Sequence, residues 1–439
     1  MASRGVEREP RERCGSMERI PVAIVGCGGM GTRHLFGLSE LERADLNPFD
    51  LVAVCDVDPA RADRLADEAQ TRLGRRPATC ADLDAAQRLG AVAVDITTVP
   101  RFHHSLAADA IALGLDVMVE KPVGLTVAAA RQLKDAVAGS DRILSVAENF
   151  RRDPTNRLVK ALIEGGVLGE PRYFHQSSGG GGDLMAISMW RHLKAESGIL
   201  FDAGTHYTDM MEYYLGPVVS VYAQMRLFEK IRYNPAATGG APASNPGGVY
   251  GQSQAAMPAE FEATADDALF AMVNFASGAV GQYAENRAEH GRESWARSVH
   301  GSAGAVEIPK DRSGRPLVLT LDRTKTYTGA EILPLVPRFR LDDVTAALFG
   351  GPQATAYGLD FETVDRLLLA VEYAEFGNAI ATRTPPEVGL EEGIRAIAVC
   401  YAMMESGAAG GRIVTVDDIL DGSVGDYQAG IDDAIGLGA

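Results

Sequence analysis

The 439-residue sequence predicts a doubly wound α/β domain followed by an α+β domain with a large, open, mainly antiparallel sheet. Between Pro21 and Ala147, short apolar runs alternate with longer amphipathic segments, as in the strands and helices of a mostly parallel sheet. After Asn149, segments of strand composition follow one another without intervening helices, which favours an antiparallel or mixed sheet. A glycine string at residues 26–31, directly behind the first apolar run, agrees with the first of these assignments.

The first region contains five candidate strands and three candidate helices. The strands are the apolar runs Val22–Val25, Leu51–Cys55, Val92–Thr97, Val117–Val119 and Ile143–Ala147. The helices repeat apolar residues every three or four positions and comprise Ala60–Arg72, His104–Leu113 and Val127–Ala138. We therefore expect a first domain over residues 21–149, preceded by a flexible extension of residues 1–20.

The second region, residues 150–420, begins with a helix near Thr155–Glu164. Its strand-like segments are Arg172–Gln176, Val218–Arg226, Ala268–Phe275 and Val280–Glu285. Helical periodicity returns in Phe361–Gly377 and Leu390–Ser406. These helices lie within residues 360–408, which we expect to pack against the rest of the protein. Residues 421–439 are assigned to a C-terminal tail.

Residues 229–263 are rich in proline, glycine, alanine, serine and asparagine and are too long for an ordinary turn. They form either a disordered insertion or a functional flap.

Composition excludes several classes of partner. The formal net charge of −17 repels phosphate, which argues against binding to nucleic acid or anionic lipid. The sequence lacks both the ~20-residue apolar run of a membrane span and an apolar signal-peptide core near its start, where Met17 is an alternative first residue. The five cysteines are widely spread and lack the spacing of disulfide or zinc frameworks, so we expect reduced thiols. A cytoplasmic protein with a small-molecule partner is the expectation.

The glycine string Gly26-Cys27-Gly28-Gly29-Met30-Gly31 follows an apolar strand and opens a helix, the context of a Rossmann dinucleotide site. Its first glycine permits a tight turn, its second lets the backbone approach a pyrophosphate, and its last allows close helix packing. At the end of the second strand, Asp56 is placed to accept hydrogen bonds from the adenosine ribose and to repel a 2′-phosphate. NAD is therefore favoured over NADP, although Asp56 could instead serve as a turn former before Pro59.

Glu120-Lys121-Pro122 directly follows a strand, at the edge where open parallel sheets bind ligands. Together with the segments 98–103 (TVPRFH), 202–206 (DAGTH) and 375–380 (EFGNAI), this motif resembles the Gfo/Idh/MocA family of glucose-fructose oxidoreductases and inositol dehydrogenases. The resemblance extends from about Pro21 to Ile419. It implies NAD-dependent oxidation of a polyol or sugar, and a homodimer or homotetramer formed through the open sheet face.

The resemblance makes Lys121, Asp202 and His206 the catalytic group. Oxidising a secondary alcohol requires removal of the hydroxyl proton, and histidine, with an unperturbed pKa of ~6.5, suits that transfer. Lys121 would polarise the reacting oxygen or act as the base itself. Asp202 and His206 are four apart, so on a helix they would share a face, and Asp202 would orient the imidazole or the substrate hydroxyl. No further ligands accompany this pair, so no metal is expected.

Other residues are placed around the cofactor and the substrate by the same resemblance. Besides the glycine string and Asp56, the cofactor set comprises Thr97, Thr98, Pro100, His103, Glu120, Lys121 and Asn149. The substrate set adds to Asp202 and His206 four residues that could equally form interdomain contacts: Arg151, Arg152, Trp190 and Arg191.

Two rival functions stay open. One is a redox-neutral lyase or glycosidase that keeps NAD tightly bound and passes through a transient keto-sugar. The other is a non-catalytic NAD-binding sensor. The presence of Lys121, Asp202 and His206 together favours a dehydrogenase.

Overall fold

The first part of the chain forms a six-stranded sheet with helices between its strands, in a computed structural model that describes residues 19–437. Its elements are β1 (Ile20–Val25), α1 (Gly29–Ala44), β2 (Phe49–Cys55), α2 (Pro59–Leu73), β3 (Ala78–Cys80), α3 (Leu83–Arg88), β4 (Ala93–Ile96), α4 (His103–Ala112), β5 (Asp116–Glu120), α5 (Val127–Ala136) and β6 (Leu144–Ala147). The strand order is β3-β2-β1-β4-β5-β6 and every neighbouring pair is parallel. The predicted doubly wound sheet is confirmed, with β3 as an edge strand that was not anticipated.

This strand order reverses direction between β1 and β4. In such sheets, ligands bind beyond the carboxyl ends of the strands where the order reverses. The strands β1, β4, β5 and β6 are buried along most of their length, because helices cover both faces of the sheet. The fold therefore brings the residues that follow these four strands to one edge.

The second part contains a nine-stranded sheet with helices at both ends of the segment. Its elements are α6 (Pro154–Glu164), β7 (Pro171–Gly179), α7 (Gly198–Leu215), β8 (Val218–Arg226), β9 (Ile231–Tyr233), α8 (Gly251–Ala255), β10 (Glu260–Glu262), β11 (Ala268–Phe275), β12 (Val280–Asn286), β13 (Ser294–Gly301), β14 (Gly304–Ile308), β15 (Val318–Leu321), β16 (Lys325–Thr328), α9 (Asp343–Phe349), α10 (Phe361–Thr382), α11 (Leu390–Ala408), β17 (Val414–Thr415), α12 (Val416–Asp421) and α13 (Asp426–Ala434). The sheet order is β16-β15-β14-β13-β7-β12-β11-β8-β17, and only the β7–β12 pair is parallel. The predicted mainly antiparallel sheet is confirmed.

The segment 229–263 is folded. It contains β9, α8 and β10, and the two strands pair with each other. Gln254 is fully buried within it, and its side-chain amide donates to the backbone oxygens of Ile187 (2.8 Å) and Ser244 (2.7 Å). The segment is therefore ordered, and we call it the flap.

Helix α10 packs against α1 and the first sheet. Asp365 receives two hydrogen bonds from Arg33, and Phe376 stacks on Phe49 with ring centroids 5.7 Å apart. Both helices contribute to one apolar cluster with β1 and β2. The segment 421–439, assigned from the sequence to a tail, contains α13, whose Ile431 is fully buried.

The cysteines correct one expectation. Cys55 and Cys80 occupy paired positions on the adjacent strands β2 and β3 and form a disulfide, whereas the sequence was taken to contain only reduced thiols. Strand register, which spacing along the chain does not reveal, brings them together. Cys27 and Cys400 are free and buried, and Cys14, like Met17, lies outside the described residues.

Hydropathy of the helices bears on membrane insertion. Of the helices formed by residues 19–437, none has the apolar length that spanning a bilayer requires.

Candidate active site

The glycine turn lies between the end of β1 and the start of α1. Gly26 has a φ of +102°, and a Cβ at this position would lie 2.7 Å from the backbone nitrogen of Thr98. A Cβ at Gly31 would lie 2.1 Å from the carbonyl oxygen of Gly26, so the helix approaches the strand too closely for a side chain. At Gly28, by contrast, no atom lies within 4 Å of a Cβ position. The turn therefore has the close packing and the open approach that a pyrophosphate requires.

A cavity of about 1420 Å³ opens in front of this turn. The predicted cofactor residues in its wall are Gly26, Cys27, Gly28, Gly29, Met30, Asp56, Thr97 and Thr98. The opposite wall carries Trp190 and Arg191, together with a part of the flap that we call the roof segment, residues 245–257. Its volume and its glycine-lined wall fit a dinucleotide.

Asp56 marks one end of this cavity, directly after β2. Its carboxylate accepts hydrogen bonds from the backbone amides of Cys27 (2.8 Å) and Asp58 (2.9 Å). These bonds fix the carboxylate beside the glycine turn, and its remaining lone pairs stay available to ribose hydroxyls. The position agrees with the cofactor role expected from the sequence.

Other predicted cofactor residues lie outside the cavity wall: Gly31, Pro100, His103, Glu120, Lys121 and Asn149. His103 is buried and bonds through its ring to the backbone oxygens of Pro122 (2.8 Å) and Thr98 (3.0 Å). It therefore ties together two of the loops at this edge. Burial lowers the pKa of His103 below its usual value, although the two backbone oxygens act in the opposite direction.

Lys121 and Asp202 connect the edge of the first sheet to helix α7. The Lys121 ammonium, at the end of β5, donates to the Oδ1 (2.9 Å) and backbone oxygen (2.7 Å) of Asp202 in α7. Arg191 donates to the other carboxylate oxygen (2.7 Å) while lining the main cavity. Burial raises the pKa of Asp202, but Arg191 and Lys121 outweigh it and hold the pKa well below its usual range. The carboxylate is thus a fixed anchor for two cations.

His206 lies one turn later in α7 and has a different partner. Its Nδ1 bonds to both carboxylate oxygens of Glu148, at 2.7 and 2.8 Å, and its ring stacks on Phe150 with centroids 4.2 Å apart. The interpretation that Asp202 orients this imidazole is therefore corrected, since Glu148 does so. A carboxylate at Nδ1 places the ring proton there and leaves Nε2 as the acceptor.

The basic residues after β6 are engaged in ion pairs. Arg151 makes a two-bond contact with Asp209, at 2.6 and 2.7 Å. Arg152 is 1% exposed, donates to Glu375 (2.5 Å), and also bonds to the backbone oxygen of Glu148 (2.9 Å). Neither lies in the wall of the main cavity, whereas Trp190 and Arg191 do. The structure thus brings only the second pair to the cavity.

Sequence reasoning missed Glu148 and a buried network beneath Glu120. Glu148 follows β6 just as Glu120 ends β5, so its position after a parallel strand was a usable signal. Glu120 turns away from the cavity to bond His34 (3.0 Å), whose other ring nitrogen bonds Asp95 (2.9 Å). Burial lowers the pKa of His34, but Asp95 and Glu120 together raise it well above its usual value. A protonated imidazole therefore holds the strand ends of β4 and β5 together.

Two family models match the chain. Residues 20–148 match an oxidoreductase family with an NAD-binding Rossmann fold, and residues 156–307 match the GFO/IDH/MocA C-terminal domain.

Curated relatives are sugar and inositol dehydrogenases. Levoglucosan dehydrogenase of Pseudarthrobacter phenanthrenivorans is 30% identical over 301 residues, covering 67% of this chain and 75% of the relative. D-apiose dehydrogenase of Rhizobium rhizogenes is 28% identical, covering 51% of this chain and 62% of the relative. Inositol 2-dehydrogenase of Burkholderia cenocepacia is 28% identical, covering 36% and 44%.

Solved structures share the fold over nearly the whole chain. Levoglucosan dehydrogenase in complex with NADH has a TM-score of 0.71 and 23% identity, covering 91% of this chain and 99% of that one. An oxidoreductase from Agrobacterium radiobacter, in complex with NAD+, L-tartaric acid and magnesium, has a TM-score of 0.69 and 19% identity, covering 92% and 100%.

Proposed function

Since the chain belongs to the Gfo/Idh/MocA family of NAD-binding oxidoreductases, we propose that it oxidises a secondary hydroxyl of a sugar, an inositol or a sugar derivative. The observation that carries this proposal is the pairing of Lys121 with Asp202 and of His206 with Glu148 at the strand edge beside the cavity. These pairs supply a cation for a developing alkoxide and an acceptor for its proton.

In this proposal, His206 takes the hydroxyl proton at Nε2, because Nδ1 is held by the Glu148 carboxylate. Lys121 uses two of its protons on Asp202, and the third is available to the reacting oxygen. NAD, when bound, accepts the hydride that leaves the same carbon. Arg191 and Trp190 are proposed to contact the substrate, since both line the cavity near Asp202.

A dehydrogenase screen tests this function. We expect NADH absorbance to appear with NAD and at least one member of a panel of levoglucosan, D-apiose, inositols and related sugars. Because Asp56 places a negative charge at the ribose end of the cavity, NAD is expected to support at least tenfold higher kcat/KM than NADP. Cleavage of a glycoside without net NADH would identify the redox-neutral reaction instead, and cofactor binding without any turnover would identify a sensor.

We also propose that two copies associate through the outer face of the nine-stranded sheet. Five apolar side chains on three adjacent strands, β8, β11 and β12, are 41–46% exposed there: Val219, Tyr222, Phe270, Met272 and Val280. The inner face of the same strands is buried, as at Val221, Ala271 and Val273. A second copy would remove these apolar side chains from water.

The mass in solution tests this association. The wild-type protein is expected to elute with a mass of at least two chains in light scattering. The double change Phe270→Glu with Met272→Glu puts charges into the interface and is expected to give a single-chain mass. Leu359→Glu, at a 36% exposed position outside this face, is the control. A single-chain wild type, or a double variant of unchanged mass, would contradict the proposal.

A further inference from the structure

Gly29 is a glycine that the dinucleotide turn does not explain. The fingerprint requires glycine at positions 26, 28 and 31, and Gly29 falls between them. A Cβ at Gly29 would lie 2.1 Å from Cε1 of Tyr250, and 2.6 Å from two further atoms of the same ring. Because glycine has no side chain, position 29 leaves room for a tyrosine ring from the roof segment, 245–257.

The Tyr250 ring packs against Gly29, the first residue of α1, and so connects the roof segment to the glycine turn. Tyr250 is 9% exposed although it belongs to a surface segment, and its ring forms part of the cavity lining. Its hydroxyl is buried and lies beside the Arg33 guanidinium of α1. The ring itself is positioned by its packing against Gly29.

The roof segment is anchored independently of that ring. Asn245 accepts a hydrogen bond from the Tyr250 amide (2.8 Å), and the buried Gln254 is held through the amide of Asn234, which donates to its backbone oxygen (2.8 Å). The Gln254 side-chain amide in turn donates to two backbone oxygens outside the segment, those of Ile187 and Ser244. Opening the roof requires breaking several of these hydrogen bonds, so the closed position is the stable one.

We propose that the roof segment is a strap that retains the dinucleotide, with the Tyr250 ring as its contact on the glycine turn. A cofactor lying along the turn is enclosed by the opposite walls of the cavity, and it leaves only when the ring lifts from Gly29. Tyr250 is thus a positioning residue that slows cofactor release. The proposal rests on NAD binding and not on the identity of the sugar.

Release of NADH, followed in a stopped-flow instrument by its fluorescence on displacement with excess NAD, tests the strap. Tyr250→Ala is expected to release NADH about tenfold faster than wild type, whereas Tyr250→Phe keeps the ring and is expected to stay within twofold. Tyr233→Ala, in the same flap but 43% exposed and outside the cavity wall, is the matched control and should not change the rate. A wild-type rate in Tyr250→Ala, or a rate in Tyr250→Phe equal to that in Tyr250→Ala, overturns the proposal.

A double-mutant cycle tests the link to Gly29. Gly29→Ala is expected to speed NADH release several-fold in the wild-type background, because its methyl group displaces the ring. In the Tyr250→Ala background, the same change is expected to add less than twofold. If Gly29→Ala speeds NADH release by the same factor in both backgrounds, the Tyr250 ring is not the reason that residue 29 is glycine. Both measurements need only NADH, so they remain informative if the sugar screen finds no substrate.

Discussion

Replacing Lys121 by methionine is expected to lower kcat for sugar oxidation about 10³-fold. Methionine keeps the length of the side chain but cannot donate a hydrogen bond, so the developing alkoxide loses its cation. Asp202 stays paired with Arg191 in this variant, which limits the disturbance to the ammonium itself. Steady-state NADH formation gives kcat, and a fluorescence titration shows whether NADH still binds.

The control for this loss is Lys134→Met, at a side chain that is 51% exposed and pairs with Glu391. It is expected to keep the wild-type rate. If Lys121→Met retains more than a tenth of wild-type kcat, the assigned role of the lysine is wrong.

Replacing Glu148 by glutamine is expected to lower kcat about 10²-fold. Burial raises the pKa of Glu148, but His206 and the amide of Phe150 outweigh this effect and lower the pKa below its usual value. The carboxylate is therefore ionised at neutral pH. The fall in kcat follows because an amide no longer specifies which ring nitrogen carries the proton.

Steady-state NADH formation gives kcat and KM for wild type and Glu148→Gln, and a fluorescence titration shows whether NADH still binds. A kcat within threefold of wild type would refute the assignment of Glu148 as the residue that orients His206. Glu307→Gln, at an exposed position on β14, removes the same charge and is the control, with an unchanged kcat expected.

Local pattern was sufficient for most of the fold. The strands around Val22–Val25 and Val117–Val119 are apolar runs buried on both faces, and such runs are visible in the chain itself. The three-residue strand β3 was missed because it is too short and too exposed to have a pattern. The short helix and strands of the flap were missed for a related reason, since their composition resembles that of a loop.

The sequence did not reveal which residues of the candidate site bond to each other. Spacing placed Asp202 and His206 on one helix, but it did not reveal which strand end each would face. The fold turns Asp202 to the end of β5 and His206 to the end of β6, so their partners are Lys121 and Glu148. Likewise, Cys55 and Cys80 meet only through the register of two strands.

The packing of α10 on α1 has a consequence for the order in which this protein is made. Arg33 is synthesised 332 residues before Asp365, its buried hydrogen-bond partner. At ~5–20 residues per second, a ribosome needs roughly 15–70 s to cover that distance. During this interval, the apolar surface that α1 later shares with α10 has no covering partner on the growing chain. The packing of the first half is therefore completed only after α10 has been made, late in translation.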